Sequence, residues 1–213
     1  MKKINHFGDV LRKRESKETK DKIEIIEVKK YSLYFLYDGV ENDINSNRAI
    51  SAASKFIKNS YSYYQDKNSV NLGSLLFDAN KKIVELKLTN CHTGVLALCV
   101  PKDENEKAVF SILGSAALYT VSYNQLIRIN NKKNDKLLGD PRLKKDNFQE
   151  ITINNEKAPI FLCSDGFINL LAHKRKDIVK ILNQKDAGSS RASMIRIMKA
   201  RNFSDLAYLF VRR

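Results

Sequence analysis

Strand-like and helix-like segments follow one another in blocks along this chain, and this order limits the folds open to it. Two strand-like runs come first, two amphipathic helices follow, short β-rich runs fill the middle, and two further helices precede a final strand. A doubly wound parallel sheet needs strands and helices to alternate, which they do not do here. The order predicts an α+β fold, a four-layer αββα sandwich of two mainly antiparallel sheets flanked by helix pairs.

The individual runs are identified by their periodicity. KIEIIEV and YSLYFLY, within residues 22–37, are typical of a hairpin, and apolar residues recur at helical spacing over residues 50–61 and 72–86. The runs TGVLALCV, AVFSILGSAALYTV and QLIRI predict an antiparallel meander, which a polar excursion over residues 130–147 follows. Further strands are predicted at EITI, PIFLCS and DLAYLFVRR, with helical spacing over residues 177–182 and 191–200.

The length of the chain and its apolar content favour one folded unit. With 213 residues, 43% of them hydrophobic, we predict a single domain over residues 1–213, of which residues 1–21 form a basic N-terminal segment. No apolar run approaches the roughly 20 residues that cross a bilayer, and the N-terminus lacks the apolar stretch of a signal peptide. We therefore expect no membrane association and a cytoplasmic location. Three cysteines without Cys-x-x-Cys spacing are expected to be buried free thiols.

The net charge of +14 favours acidic partners or substrates. Nucleic-acid binding is one such function, and it predicts an affinity that falls steeply with salt. The basic residues are spread along the chain, however, with neither an interleaved aromatic platform nor a recognition-helix pattern. A lysine-rich solvated surface is therefore the favoured interpretation, and nucleic acid is not an expected partner.

Three aspartates stand at the margins of apolar strands. Asp38 ends YSLYFLY, Asp165 follows PIFLCS, and Asp205 opens the last run. If these strands are neighbours, three carboxylates meet at one sheet edge, where their repulsion raises their pKa values or is relieved by a cation. Oxygen-only ligands suit magnesium or manganese. Each aspartate taken alone also fits a turn or a cap.

The contexts of these aspartates resemble those of a known family. YFLYDGVENDINSNRAISAASKFI, PIFLCSDGFINLL and ARNFSDLAYLFVRR are similar to the Asp-Gly strand, the Ser-Asp-Gly turn and the closing strand of the PPM-type metal-dependent protein phosphatases, also called protein phosphatase type 2C. CHTGVLALCV and ILGSAALYTVSYNQLIRI occupy the places of the intervening strands. The order agrees over about residues 30–213, and the chain is identified as resembling a divergent, bacterial-type member.

The resemblance implies an activity and a set of ligands. It implies two manganese or magnesium ions bridged by Asp38, with the Gly39 carbonyl as a further ligand and with Asp165 and Asp205 on the second ion. Asp38 and Asp165 are then the catalytic residues, and a metal-bridging hydroxide attacks phosphorus in line. The implied substrates are phosphoserine and phosphothreonine on proteins, made by a serine/threonine kinase.

Four departures from the family pattern bear on activity. The N-terminal Arg-x-x-Asn-Glu-Asp motif is not legible, which leaves Arg12 or Arg14 as the phosphate-binding arginine and Asp21 as an acidic ligand. Glu41 and Asn42 replace loop glycines, Gly114-Ser115-Ala116 replaces Gly-Asp-Ser, and Leu206 replaces the terminal asparagine. The change at Ser115 predicts that a third metal site is absent.

Two functions from different classes therefore stay open. One is metal-dependent hydrolysis of phosphoproteins. The other is a pseudophosphatase, which keeps the fold and binds a phosphoprotein or signalling partner without turnover. Metal binding accompanied by turnover would distinguish the first from the second.

Overall fold

A computed structural model gives the structure of the chain. It describes residues 4–14, 16, 18–65, 69–122, 124–130, 135–154, 158–200 and 204–212. The strands are β1 (Asn5–Leu11), β2 (Asp21–Glu27), β3 (Tyr31–Gly39), β4 (Thr93–Pro101), β5 (Val109–Leu113), β6 (Ala117–Ser122), β7 (Gln125–Arg128), β8 (Ile151–Thr152), β9 (Ile160–Cys163) and β10 (Leu206–Arg212). The helices are α1 (Ser46–Ser60), α2 (Leu72–Val84), α3 (Asp165–Leu182) and α4 (Ala187–Ala200), with short 3₁₀ turns at Tyr61–Tyr64 and Lys145–Asn147.

The strands form two five-stranded sheets. The first sheet has the order β1-β10-β9-β6-β7 and the second the order β2-β3-β4-β5-β8. All neighbouring strands are antiparallel. Three apolar layers hold the elements together: α1 and α2 on the second sheet, α3 and α4 on the first, and the sheets on each other. The predicted four-layer αββα sandwich is confirmed.

The position of strand β3 explains why its sequence is continuously apolar. Leu33 and Phe35 pack beneath α1 and α2, whereas Tyr34 and Leu36 point into the layer between the sheets. Because both faces of a central strand are buried, neither face can be polar. The strand ends where the polar Asp38 and Gly39 reach the margin of the sandwich.

The helices bury one apolar face each, as their spacing predicts. In α1 the buried positions include Ala49, Ile50, Ala53 and Ile57. Helix α3 starts at Asp165, directly after the extended Ser164, and is kinked at Lys174. The Asp165-Gly166 pair, which the sequence comparison placed in a Ser-Asp-Gly turn, therefore opens a helix.

The central runs do not form one meander. Strands β5 and β6 lie in different sheets, and the chain crosses between the sheets at residues 114–116. Gly114 has a φ of +97°, and a β-carbon there would lie 2.8 Å from the Gly94 α-carbon. Glycine thus allows the backbone to turn tightly against the neighbouring strand at the crossing.

The N-terminal segment contributes a strand that the sequence did not predict. Within residues 1–21, β1 pairs with β10 along the edge of the first sheet. Cys91, Cys99 and Cys163 are buried thiols that form no disulfide bond, as expected. Among the described residues, no helix has the length and apolar character needed to cross a membrane.

Candidate functional site

A cleft of about 710 Å³ opens at one end of the two sheets. It lies where β3 ends and where α3 and β10 begin, beside the crossing at Gly114. Its described lining residues are Lys13, Ser16, Lys20, Asp21, Asp38, Gly39, Val40, Glu41, Gly114, Ser115, Asp135, Leu137, Asp165, Ser204 and Asp205. Six of these carry a carboxylate and two an ammonium group, so the cleft is acidic although the chain as a whole is strongly basic.

The aspartates of this cleft come from elements of both sheets. Asp21 opens β2 and lies directly opposite Asp38 in the register of the second sheet. Asp165 is the first residue of α3, which follows β9, and Asp205 directly precedes β10, so both come from the first sheet. The carboxylates expected along one sheet edge thus meet between the ends of two sheets.

Asp38 is the central carboxylate of the cleft. Its Oδ2 atom accepts hydrogen bonds from the Ser115 hydroxyl and from the backbone N–H of Asp165, each at 3.2 Å. The Ser115 hydroxyl also lies 3.3 Å from Asp165 Oδ2. Burial, and next the Asp165 charge, raise the pKa of Asp38 to about 7, although both hydrogen bonds oppose the shift.

Asp21 is buried beside Asp38 and has little compensation for its charge. Its Oδ1 atom accepts a long hydrogen bond of 3.4 Å from the Gly39 N–H. Among the described residues, its Oδ2 atom is buried without a hydrogen-bond partner. Burial and then the Asp38 charge raise the pKa of Asp21 well above its ordinary value.

Asp205 has different surroundings, because backbone amides hold both of its oxygens. Oδ1 accepts from the N–H of Lys13 at 2.8 Å, and Oδ2 accepts from the N–H of Lys20 at 2.6 Å. The carboxylate therefore fastens both ends of segment 13–20 at the cleft. Charge-assisted bonds of this kind are stronger than those between neutral groups.

The fastened segment places two ammonium groups in the lining. Lys20 Nζ donates to the carbonyl oxygens of Val40 and Asp43 at 3.3 and 3.2 Å, and also to that of Glu41. Lys13 Nζ bonds to Glu41 Oε1 at 3.0 Å. A β-carbon at position 39 would collide with the Lys20 backbone, so Gly39 allows this close approach.

The other residues singled out in the sequence lie as follows. Arg12 and Arg14 are exposed and are not among the lining residues, and the Arg14 guanidinium donates to the Lys199 carbonyl at 3.4 Å. Glu41 lines the cleft and Asn42 is exposed. Sequence reasoning missed Lys13 and Lys20. The adjacency of Lys20 to Asp21 before a strand was the one available signal.

The lining matches a hard divalent cation in its chemistry. Within the described part of the chain, no three His, Cys, Asp or Glu side chains stand close enough together to enclose an ion. The donors of Asp21, Asp38 and Asp165 are nevertheless all oxygens, and burial and neighbouring carboxylates disfavour the charged forms of Asp21 and Asp38. A cation bound between these carboxylates would relieve both penalties, and oxygen donors favour magnesium or manganese over zinc.

Comparisons with known proteins bear on the fold. No protein-family model and no curated protein matches the sequence. Among solved structures, the PPM Ser-Thr phosphatase MsPP from Mycobacterium smegmatis has a TM-score of 0.80 at 14% identity, over 98% of this chain and 97% of that chain. The serine/threonine phosphatase of S. agalactiae has a TM-score of 0.76 at 14% identity, over 99% of both chains.

A third similar structure was solved with a metal. RsbX in complex with magnesium has a TM-score of 0.71 at 16% identity, over 98% of this chain and 94% of that chain. At such identities the likeness establishes the architecture, and the resemblance read from the sequence is confirmed at that level. The chain has the fold of the PPM-type serine/threonine phosphatases.

Proposed function

We propose that this chain is a phosphatase that requires a divalent cation and hydrolyses phosphoserine and phosphothreonine in proteins. One observation carries the proposal: Asp38 lies between Asp21 and Asp165 in an acidic cleft of a PPM-type fold. Among the described residues, no lysine or arginine forms an ion pair with any of these three carboxylates. Burial and mutual repulsion disfavour the charged forms of Asp21 and Asp38, and a cation from solution would offset that cost.

The carboxylates of Asp21, Asp38 and Asp165 are our candidates to hold manganese or magnesium. The resemblance adds the Gly39 carbonyl and Asp205, and implies two ions. When bound, a divalent ion supplies Lewis-acid activation of water at neutral pH and screens the charge of the phosphate. Each oxygen of Asp205 already accepts a backbone N–H, from Lys13 or from Lys20. Asp205 would therefore offer an ion only its remaining lone pairs.

The remaining groups of the cleft would orient these ligands and attract the substrate. The Ser115 hydroxyl, within hydrogen-bond distance of both Asp38 and Asp165, would fix the two carboxylates relative to each other. Lys13 lines the cleft, unlike Arg12 and Arg14, and is our candidate to attract the phosphate dianion. When the phosphate binds, the Lys13 ammonium would leave Glu41 and pair with the phosphate instead.

We further propose a phosphoprotein made by a serine/threonine kinase as the substrate, and the cytoplasm as the location. The thiols of Cys91, Cys99 and Cys163 are buried and form no disulfide bond, which supports a reducing compartment. An acidic cleft that takes up a metal ion would bind a phosphate group through that ion. Negative charge in the same cleft disfavours a nucleic-acid backbone there.

The proposal is tested by hydrolysis of an aryl phosphate and of a phosphothreonine peptide, with manganese and with chelator. We expect turnover by the wild type only with manganese, and loss of turnover in Asp38→Asn. The matched control is Lys55→Gln, which changes an exposed residue of α1 outside the cleft. Turnover that persists in chelator, or in Asp38→Asn, would contradict the proposal.

One observation favours the pseudophosphatase as a second candidate. Both oxygens of Asp205 are held by the N-terminal segment, and Lys13 pairs with Glu41 across the cleft. If these contacts persist in solution, the cleft can recognise a phosphoprotein without hydrolysing it. Binding of the phosphothreonine peptide with no hydrolysis in manganese would establish this second function instead.

A further inference from the structure

The ammonium group of Lys20 is bonded as a small cation is bonded in a protein. A lysine has three N–H donors, and those of Lys20 are directed to three main-chain carbonyl oxygens, of Val40, Glu41 and Asp43. Main-chain carbonyl oxygens are also ligands that hard metal ions use. The loop of residues 40–43, which directly follows Asp38 and Gly39, thus already wraps around a positive charge.

The backbone fixes the position of this charge. The Lys20 N–H donates to Asp205 at 2.6 Å, and the Lys20 backbone packs against Gly39. The next residue, Asp21, is held opposite Asp38 by the strand pairing. Lys20 therefore enters the cleft from a segment anchored at both sides of it, and its ammonium is built into the site.

The charges in the cleft divide into two parts. Asp21, Asp38 and Asp165 make up one part, and among the described residues no ammonium forms an ion pair with them. The loop at 40–43 already has its carbonyl oxygens occupied by Lys20 Nζ. A second divalent ion beside this loop would have to displace the ammonium or withstand its repulsion.

We infer that Lys20 supplies a built-in monovalent cation to the site, so that the chain binds a single divalent ion at Asp21, Asp38 and Asp165. Lys20 is then a residue that limits the metal content of the site to fewer ions than the two that the resemblance implies. The inference rests on the proposed function, because it concerns the same cleft and the same ligands.

The number of bound ions is the direct test. Titration of the full chain with manganese by calorimetry is expected to give one ion per chain for the wild type. Lys20→Gln keeps a polar side chain, one bond shorter, but removes its charge, and we expect the stoichiometry to rise to two. Lys20→Arg keeps a positive charge and is expected to stay at one, as is the control Lys55→Gln.

Electron paramagnetic resonance of the same samples gives a second readout that is independent of catalysis. A mononuclear manganese signal is expected for the wild type, and an exchange-coupled pair for Lys20→Gln. Two ions in the wild type, or one ion in a folded Lys20→Gln, would overturn the inference and leave the proposed function standing. Should Lys20→Gln not fold, the wild-type stoichiometry alone decides. No manganese binding by the wild type would overturn both the inference and the proposed function.

Discussion

Strand β2 buries two carboxylates, Asp21 and Glu24, which are each 5% exposed but lie in opposite surroundings. Glu24 lies 3.6 Å from the Lys22 ammonium and 3.9 Å from that of Lys58, and it accepts a hydrogen bond from the Ser54 hydroxyl. Asp21 faces a second buried carboxylate, Asp38, and accepts one long hydrogen bond. Each has one oxygen with no hydrogen-bond partner among the described residues. The two carboxylates therefore differ in their charged neighbours: two lysine ammonium groups lie beside Glu24, whereas a second carboxylate lies beside Asp21.

The comparison shows that the acidic cleft does not follow from a shortage of basic residues. The chain has 38 lysines and arginines, and it places two lysines beside Glu24. The two lysines that line the cleft bond to Glu41 and to the loop at 40–43, and not to Asp21 or Asp38. Folding thus buries carboxyl groups at one place where their charged forms are costly, and an ion from solution can stabilise those charged forms.

The largest expected effect is on catalysis. Asp165→Asn removes one of the carboxylates proposed to hold the ion, and we expect it to lower kcat/KM for an aryl phosphate in manganese by at least about 100-fold. Glu24→Gln also removes a buried carboxylate, but its lysine partners balance that one, so kcat/KM is expected to change by less than about twofold. Steady-state kinetics on both folded variants provide the measurement. An equal loss of kcat/KM in the two variants would show that the carboxylates of the cleft have no special role in catalysis.

The next effect concerns pH and is expected only in the absence of divalent ions. Because the pKa of Asp38 is raised from 3.8 to about 7, the folded chain keeps a proton that the unfolded chain has lost between these values. The free energy of unfolding should therefore fall as the pH rises through this window, by about 4 kcal/mol, and then level off. Urea unfolding in chelator measures it. The same decline in Asp38→Asn would show that another group is responsible.

The smallest effect concerns stability: neutralising the two buried carboxylates of β2 should change the free energy of unfolding in opposite directions. Glu24→Gln weakens an ion pair with two half-exposed lysines and should lower the free energy of unfolding by about 1–2 kcal/mol. Asp21→Asn removes repulsion from Asp38 and should raise it by about 1 kcal/mol in chelator. Chemical denaturation of the two variants side by side gives both values. Destabilisation by Asp21→Asn would mean that its charge is compensated after all.

The parts of the fold that could be predicted are those with a local signal. Strand β3 is a continuous apolar run buried on both faces, and α1 and α2 repeat their apolar residues at helical spacing. The unpredicted strand β1 is only half-buried at a sheet edge, and its partner β10 lies at the opposite end of the chain. The crossing between the sheets at Gly114 could not be predicted from the sequence, because β5 and β6 follow each other without a long polar turn.

The site was predictable where a motif surrounds each residue. Asp38, Asp165 and Asp205 each adjoin an apolar strand, so their contexts could be read in order along the sequence. The engagement of Asp205 with Lys20 could not be read, because it joins residues 185 positions apart through a backbone amide that has no side-chain signature. Ser115 could be identified as a departure, but its position between two carboxylates depends on the crossing between the sheets.

The central claim is that the buried carboxyl groups of the cleft take up a divalent ion, and thermal unfolding with and without manganese tests it most directly. At roughly 100 times the dissociation constant, manganese should raise the Tm of the wild type by about 6 °C. Asp38→Asn should show little or no rise, whereas Glu24→Gln should keep it from its own lower starting Tm. An unchanged wild-type Tm, or an equal rise in Asp38→Asn, would contradict the claim.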